Sequence, residues 1–501
     1  MVAYTVFFFL ITLIVGGIGI DLMRFEMERT KLQNTLDRAV LAAADLDQES
    51  PPADVVRDYF NKADLSASLA DPTVDEGLNY RIVSAEAQTA ITTQFTHMLG
   101  IDTMYAPASS TAEERIEGVE ISMVLDVSGS MHSNNRLTNL KPAARSFVDT
   151  VLALTDLDDI SISLVPYNTQ VSAGDDILRH LNVTDEHDYS HCVNFDAAHF
   201  NTTALSSTEE LERTGHFDIF TYSSGNLSAP ICSTRSALSI APLSNDGDGL
   251  KRQINQLVAG GNTSIDVGMK WATALLDPSM RGTVTNMISD GTVNNVFAGR
   301  PTSYEDGETV KVIVVMTDGQ NTTQYQLKDQ YREGNSDVWY NSNSGRYSLY
   351  IGSRAGNNKY FWPNNNSWND HPYGQGSSES GSAVRLTYPQ LWHKISMASN
   401  ARYNYTNAIG SSAAWNTWYY GTYDTQLNGG VKDSRLQSIC QAAKDNGVVI
   451  YAIGFEATTH GENELRDCAS SPSHFFDVDG LEIADAFSAI ASSISQLRLT
   501  Q

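Results

Sequence analysis

The chain begins with an uninterrupted apolar stretch. Residues 1–20 read MVAYTVFFFLITLIVGGIGI and include no charged side chain. As a helix, this stretch is about 30 Å long, which matches the hydrocarbon thickness of a bilayer. A cleaved signal peptide would start with basic residues and end at a small-residue cleavage site, and neither pattern is visible. The stretch therefore predicts a single membrane span, with a cleaved or merely buried segment as the alternative.

The helical pattern continues beyond the apolar stretch, because no Gly or Pro interrupts residues 21–50. Apolar residues recur on one face at intervals of three and four: Leu32, Leu36, Val40 and Ala43. The prolines at 51–52 are predicted to end this helix. We expect residues 1–50 to form a transmembrane helix with an amphipathic stem. The apolar stripe of the stem packs either on its own downstream domain or on neighbouring helices in an assembly. Residues 51–118 mix short patterns and predict a small α+β connecting region.

Beyond residue 119, apolar runs alternate with amphipathic segments. The predicted strands are Val119–Leu125, Ile160–Tyr167, Val310–Thr317 and Val448–Phe455. The predicted helices are Leu137–Leu154, Leu250–Val258, Ile265–Leu276, Ser434–Asn446 and Ile483–Leu497. Near-continuous apolar strands between helices are typical of a mostly parallel sheet with helices on both faces. We therefore predict an α/β domain over residues 119–501, with large insertions at about 174–245 and 325–430.

The composition restricts the class of partner that the chain can bind and the cellular compartment in which it is expected. The 59 acidic and 33 basic residues give a formal net charge of −26, which repels nucleic acid. The four cysteines form no CxxC pair, so a zinc site is disfavoured, and two disulfides in an oxidising compartment are expected. Three pairings are possible. The favoured one joins Cys192 to Cys232 and Cys440 to Cys468, because each bond closes a local loop, and the alternative is four buried free thiols in a cytosolic protein.

The flanking charges and the cysteines favour opposite membrane orientations. The nearest basic residues lie on the C-terminal side of the span: Arg24, Arg29, Lys31 and Arg38. Counted alone, they would place that side in the cytoplasm. Long domains translocate regardless of such charges, and the cysteines favour an oxidising compartment. We expect the bulk of the chain to lie outside the cytoplasm.

Candidate chemistry lies where two apolar strands end. Asp126 ends the first strand, within ISMVLDVSGSM, and Asp318 ends KVIVVMTDG. Carboxyl ends of parallel strands meet at one edge of a sheet, and a carboxylate there is costly to bury without compensation. Ser128 and Ser130 follow Asp126 on a turn and can direct hydroxyls to one point. Oxygen ligands of this kind suit Mg²⁺ first, and Ca²⁺ or Mn²⁺ as alternatives.

Three motifs in this order resemble the von Willebrand factor A domain: DxSxS at 126–130, GGNT at 260–263 and TDG at 317–319. The resemblance implies a metal-ion-dependent adhesion site, whose ligands fall on these positions: Asp126, Ser128, Ser130, Thr263 and Asp318. Such a site implies binding of a partner's acidic group and not turnover. No HExxH, GxSxG or GxxxxGK[ST] pattern occurs, so we expect no enzymatic activity.

A second resemblance covers nearly the whole chain. It rests on the N-terminal span with KLQNTLDRAVLAAADL, on PLSNDGDGLKRQINQLVAGGNTSIDVGMKWATALLDP, and on CQAAKDNGVVIYAIGFEATTHGENELRDCASSPSHFFDVD. These stretches resemble the TadG-like proteins of bacterial Tad (Flp) pilus assembly. The resemblance implies a single-pass inner-membrane protein with a periplasmic or surface-exposed A domain and pilin or pilus-assembly partners. It also supports the chosen orientation and the Cys440–Cys468 bond. The basic leader and glutamate of prepilins are missing, so prepilin processing is not expected.

The alternatives are a structural minor pilus subunit and, less favoured, an envelope metal-dependent enzyme. The second insertion is rich in aromatic residues: Trp339, Tyr340, Phe361, Trp362, Trp368, Trp392, Trp415, Trp418, Tyr419 and Tyr420. These residues form either a contact surface for a pilin or glycan, or the core of a self-packed excursion.

Overall fold

A computed structural model describes residues 2–45, 48, 50–76, 80–115, 118–153, 158–222, 227–306 and 309–500. The chain divides into two compact units, residues 1–117 with 494–501 and residues 118–493. The predicted stem and connecting region thus share one unit.

The first unit is built on one long helix. Its elements are α1 (Val2–Ala44), α2 (Pro52–Lys62), β1 (Thr73–Glu76), β2 (Tyr80–Thr92) and β3 (Thr103–Arg115). The strands form an antiparallel sheet in the order β1-β2-β3, and β2 pairs with β3 over their full length. The predicted stripe packs on this sheet, since Leu32, Leu36 and Val40 belong to the same buried cluster as Val83 and Ala85.

The end of α1 differs from the prediction. The helix ends at Ala44 and not at Ser50, and the proline pair does not end it. Instead, Pro52 lies in the first turn of α2, where its missing N–H costs no intrahelical hydrogen bond. Among the described residues, α1 is the one helix that is long and apolar enough to span a membrane.

The second unit contains the predicted parallel sheet. Its strands are β4 (Gly118–Asp126), β5 (Ile160–Tyr167), β6 (Ala241–Ser244), β7 (Thr309–Thr317), β8 (Val449–Phe455) and β9 (Phe475–Val478). Their order is β9-β8-β7-β4-β5-β6, and every pairing is parallel except that of β5 with β6. The central strands are fully buried, as near-continuous apolar runs require. The mixed α/β class predicted from the sequence is therefore confirmed.

Five helices lie close to the predicted positions: α3 (Arg136–Leu152), α4 (Gly247–Gln256), α5 (Ile265–Ala274), α7 (Gly429–Asp445) and α9 (Ile483–Thr500). Two further helices were not predicted: α6 (Arg281–Ser289) and α8 (Thr459–Cys468). The predicted helix at Ser434 begins five residues earlier, at Gly429, because Asn428 caps it by accepting the N–H of Val431. Both predicted disulfides are present, Cys192–Cys232 and Cys440–Cys468.

The first of the two predicted insertions, here called the first excursion, is shorter than predicted. The range 174–245 includes β6, which pairs with β5 and belongs to the central sheet. Its four-residue APLS pattern is too short to be recognised as a strand without that pairing. Before β6, the chain forms short elements: Asp175–Leu178, Val193–Asn194, Ala197–Asn201, Glu212–Arg213 and Ser236–Leu238.

The second excursion folds around a hydrophobic cluster separate from that of the central sheet, and Phe217, Ile219 and Ile231 of the first excursion contribute to it. Five strands form its sheet: Asn335–Asn341, Arg346–Tyr350, Tyr360–Trp362, Ser367–Asn369 and Ala383–Thr387. Further elements are Gln326–Leu327, Asp329–Tyr331, Tyr388–Lys394, Met397–Ser399, Asn400–Tyr405, Thr406–Ile409, Ser411–Trp418 and Tyr423–Asp424. Of the ten aromatic residues predicted as a contact surface or a core, Tyr420 alone is exposed. The self-packed alternative is therefore the better description.

Candidate functional site

The turn after β4 is organised around the Asp126 carboxylate, which is completely buried. The backbone N–H of Ser128 donates to Asp126 Oδ1 at 2.6 Å. The Thr317 hydroxyl, at the end of neighbouring β7, donates to Asp126 Oδ2 at 2.6 Å. Two adjacent parallel strands therefore fix both oxygens of this carboxylate.

The second carboxylate, Asp318, lies at the same edge because β7 pairs in parallel with β4. Ser130 Oγ donates to Asp318 Oδ1 at 2.7 Å, and the hydroxyl oxygens of Ser128 and Ser130 are 3.0 Å apart. Asp126, Ser128, Ser130 and Asp318, which the sequence analysis proposed as ligands, thus form one continuous hydrogen-bonded group. Asp126, Ser128 and Asp318 are buried, whereas Ser130 is exposed, so the group reaches the surface at Ser130.

The glycine loop before α5 lies directly against the serine turn. Gly129 N–H donates to the Gly261 carbonyl at 2.9 Å, and Gly260 N–H donates to the Val127 carbonyl at 2.8 Å. A Cβ added to Gly129 would approach the Gly261 oxygen to 3.1 Å, and Gly261 has a φ of +80°. Both glycines are therefore required by the close approach and the left-handed turn.

Thr263 reaches the same edge through its backbone. Its N–H donates to Thr322 Oγ1 at 2.9 Å, and its carbonyl accepts the Thr322 N–H at 3.0 Å. Thr322 lies four residues after Asp318, so the glycine loop joins both the serine turn and the loop after β7. All three motifs thus meet at one end of the sheet.

A buried lysine that the sequence analysis missed holds this loop. Lys432 Nζ donates to the carbonyls of Thr263 and Thr322 at 2.7 and 2.9 Å, and also to the Ser264 hydroxyl. Burial lowers the pKa of Lys432 to about 8, while Asp266, at 3.7 Å, opposes the shift. The predicted helix began at Ser434 and so left Lys432 outside it. The structure places Lys432 in the first turn of α7, which begins at Gly429.

No sequence pattern indicated a role for Arg136 either. Its Nη1 lies 2.8 Å from Asp318 Oδ2, and its Nε lies 3.0 Å from Glu456 Oε2. Arg136 begins α3, only six residues after the serine turn, but nothing in that spacing indicates the partner at Glu456. The arginine compensates part of the charge that Asp126 and Asp318 bring together.

The pKa of Asp126 reflects the negative charge that Arg136 leaves uncompensated. Burial and the nearby Asp318 carboxylate raise this pKa to about 7, against the opposing hydrogen bonds from Thr317 and Ser128. A divalent cation would remove the penalty on the ionised form. The donor set consists of carboxylate and hydroxyl oxygens, and it therefore fits Mg²⁺, Ca²⁺ or Mn²⁺ and not a thiolate-bound metal.

A cavity of about 720 Å³ lies beside the glycine loop. Its lining includes His132, Gly260 and Gly261 from the sheet edge, and His216 and His393 from the two excursions. Burial lowers the pKa of His216 to about 3, with His187 as a further cause, so this imidazole is neutral near pH 7. His216 therefore adds no positive charge to the cavity near pH 7.

Comparison with known proteins gives weak overall structural likenesses. No curated protein sequence matches this chain. The von Willebrand factor domain of the type V pili tip protein Mfa5 from Porphyromonas gingivalis is 15% identical with a TM-score of 0.33, covering 76% of this chain and 96% of that one. The pilus adhesin SpaC from Lactobacillus rhamnosus GG is 13% identical with a TM-score of 0.31, covering 85% of this chain and 34% of that one.

The adhesive tip pilin of Group B Streptococcus agalactiae is 13% identical with a TM-score of 0.29, covering 75% of this chain and 100% of that one. At these TM-scores the likenesses add nothing to the site, which rests on the contacts described above. The sequence match is more specific but short. Residues 1–46 match the family model described as putative Flp pilus-assembly TadE/G-like, as the sequence analysis predicted.

Proposed function

We propose that this protein is a membrane-anchored, extracytoplasmic binding component of Tad (Flp) pilus assembly or adhesion. It captures an acidic group of a protein partner at a metal-ion-dependent adhesion site. One observation carries the proposal: the carboxylates of Asp126 and Asp318 and the hydroxyls of Ser128 and Ser130 form one hydrogen-bonded group at the carboxyl edge of the sheet, with Ser130 on its exposed side. The N-terminal family match supports the pilus association.

The second unit is proposed to be a von Willebrand factor A domain. Its DxSxS, GGNT and TDG motifs meet at one edge of a mostly parallel sheet, as the family pattern requires. The two excursions leave from and return to this sheet. We propose that they shape the access to the site, because His216 and His393 both line the adjacent cavity.

The ligands in this proposal are Asp126, Ser128, Ser130, Thr263 and Asp318, and Mg²⁺ is the preferred ion over Ca²⁺ and Mn²⁺. When bound, the ion supplies positive charge and a coordination position for a carboxylate from the partner. The chain's own residues prepare the edge. Arg136 orients Asp318, and Lys432 fixes the carbonyls of Thr263 and Thr322. We propose binding and not catalysis.

The proposed placement is a single span in the bacterial inner membrane, with the second unit in the periplasm or at the cell surface. The length and hydropathy of α1 support the span. The two disulfides support an oxidising compartment. The net charge of −26 supports a protein partner and not nucleic acid.

The decisive experiment is cross-linking and pull-down from the envelope with Mg²⁺ or with chelator. The wild-type chain is expected to retain pilin or pilus-assembly subunits in Mg²⁺ and to lose them in chelator. Asp126→Asn should lose them in both conditions, because it removes the most buried charge of the ligand set. Asp248→Asn is the control, because this carboxylate is 79 % exposed and pairs only at the surface with Lys251. Equal retention by all three chains in chelator would remove the metal from the explanation.

A second candidate, a structural minor pilus subunit, is favoured by the two halves of α1. The C-terminal half packs on its own sheet, whereas most side chains from Val2 to Val15 are exposed. Such an apolar half-helix suits either a bilayer or a bundle of pilus helices. Mechanical shearing separates the two roles, because a structural subunit is found in the sheared pili and a membrane-retained component stays with the cells.

A further inference from the structure

The tip of the β2–β3 hairpin is unusually apolar. The connection between the strands is 93–102; residues 93–101 read TQFTHMLGI and include no Asp, Glu, Lys or Arg, and the one charged residue, Asp102, lies at the base of the tip, where its carbonyl accepts the Thr93 N–H. Hairpin connections normally favour Gly, Asn and Asp, which suit tight turns in water. Several large apolar side chains at this tip are instead exposed: Phe95 39 %, Met98 72 %, Leu99 58 %, Ile101 49 % and Tyr105 60 %. An exposed apolar group of this kind marks a surface that another apolar phase covers.

The hairpin tip is attached to α1 through a buried carboxylate. Asp21 is 2 % exposed and accepts the backbone N–H groups of Gln94, Phe95 and Thr96 at 3.0, 2.8 and 2.8 Å. The Thr96 hydroxyl donates to the same side chain at 3.0 Å. Four hydrogen bonds therefore fix the tip at one level of the helix.

The close packing at Gly17 fixes the same level independently. A Cβ added to Gly17 would approach the ring of Phe95 to 2.7 Å. At the neighbouring Gly16, an added Cβ would meet nothing within 4 Å. Gly17 therefore leaves the space into which the Phe95 ring packs.

This level coincides with the end of the apolar run. Asp21 is the first charged residue of the chain, and the preceding stretch is long enough to cross the hydrocarbon layer. Gly17 lies four residues earlier, which is about 6 Å along the helix axis. Phe95 is thus held just inside the expected boundary of the bilayer.

We propose that the β2–β3 hairpin tip, residues 93–101 with Tyr105, inserts into the lipid surface beside the membrane-spanning helix. The occupant of this apolar surface is lipid, because the tip is continuous with the apolar face of α1. The inference rests on the membrane anchor of the proposed function. With its tip in the lipid surface, the hairpin fixes the first unit against the membrane at a second point.

The test uses single cysteines carrying an environment-sensitive fluorophore in the full chain, reconstituted into vesicles with and without brominated lipids. All four native cysteines are in disulfides, so each introduced thiol is the only free one under non-reducing conditions. Met98→Cys and Leu99→Cys test the tip, and Phe9→Cys tests the helix. Thr73→Cys is the control, because its partner Ser84 is eight residues from the tip end of β2, about 26 Å along the strand.

The expected result is a blue shift and brominated-lipid quenching at positions 98, 99 and 9, and neither effect at position 73. If position 9 is not quenched, the membrane anchor itself is wrong. If position 9 is quenched while 98 and 99 are not, the anchor stands and the inserted tip is overturned. Cross-linking of positions 98 and 99 to another pilus subunit without quenching would also overturn it.

A matched pair of glycine variants tests the attachment. Gly17→Ala should displace Phe95 and reduce quenching at position 98, whereas Gly16→Ala should leave that quenching unchanged. Asp21→Asn should act like Gly17→Ala, because an amide cannot accept all four hydrogen bonds as strongly as a carboxylate does. Quenching at position 9 should persist in all three variants. Equal quenching at position 98 in all of them would contradict the proposed attachment.

Discussion

The pair of strands β4 and β7 buries carboxylates near each of its two ends, but the two ends compensate these charges differently. At the start, Glu120 and Lys311 are cross-strand partners and form a buried ion pair. Thr302 N–H donates to Glu120 at 2.9 Å, and Lys311 also donates to the Leu276 carbonyl at 2.9 Å. At this end, the charges of Glu120 and Lys311 are therefore compensated by groups within the protein.

The carboxyl end brings Asp126 and Asp318 together with hydroxyls, and Arg136 is the cation that contacts one of them. The comparison shows that the sheet can bury a carboxylate at a stable site when a lysine is directly opposite. The end without such a lysine is the one where we propose a bound cation and a partner's acidic group. Four predictions test this difference.

The largest effect is expected from Lys311→Met. It leaves Glu120 buried without its cation, which should lower the free energy of unfolding by about 3–5 kcal/mol. Thermal unfolding measures the loss, and adding Glu120→Gln should recover part of it. Lys251→Met, which removes a partly exposed lysine, should cost much less, because solvent screens its ion pairs at the surface. Equal losses for both lysines would show that Glu120 does not depend on Lys311 for compensation of its buried charge.

Magnesium should act at the opposite end alone. At a concentration 100 times the dissociation constant, it should stabilise the wild-type chain by about 2.7 kcal/mol. Asp126→Asn should remove this increment, whereas Lys311→Met should retain it on its lower baseline. Calorimetric melting with and without Mg²⁺ checks both variants. An increment that survives Asp126→Asn would place the ion elsewhere.

The pH dependence should distinguish the two ends in the absence of divalent cations. The pKa of Asp126 is raised from 3.8 to about 7, so between these values the folded chain holds a proton that the unfolded chain releases. This contribution to stability is present below about pH 4 and is lost as the pH rises to about 7, by at most about 1.4 kcal/mol per pH unit. Urea unfolding of wild type and Asp126→Asn isolates it as a difference. A difference that stays constant over this range contradicts the raised pKa.

The smallest effect is expected from Arg136→Met. Without a cation, the loss of its contact with Asp318 should lower stability by about 1–2 kcal/mol. In Mg²⁺ the variant should recover more stability than wild type does, because the ion then compensates both carboxylates. Melting temperatures over a Mg²⁺ titration measure this. A smaller Mg²⁺ increment than in wild type would show that Arg136 supports the ion instead of substituting for it.

Local patterns were sufficient for several features of this protein. The apolar run predicted α1, the buried strands predicted the α/β class, and the short loops favoured the two disulfides. The motifs predicted that Asp126, Ser128, Ser130 and Asp318 lie at one edge of the sheet, because each ends a recognisable strand or occupies its turn, and the structure brings the four together. These features depend on residues that are close in the sequence, so their pattern can be read without coordinates.

Only the tertiary structure decided which distant groups compensate the buried charges and cover the apolar ones. Lys432 reaches Thr263 across 169 positions, and Asp21 reaches Thr96 across 75. The aromatic residues after Asp318 turned out to form a core, because strands that no periodicity had indicated fold them inward. Sequence periodicity records which face of an element is apolar. It does not record which partner meets that face, because the partner is chosen by packing between segments that are far apart in the chain.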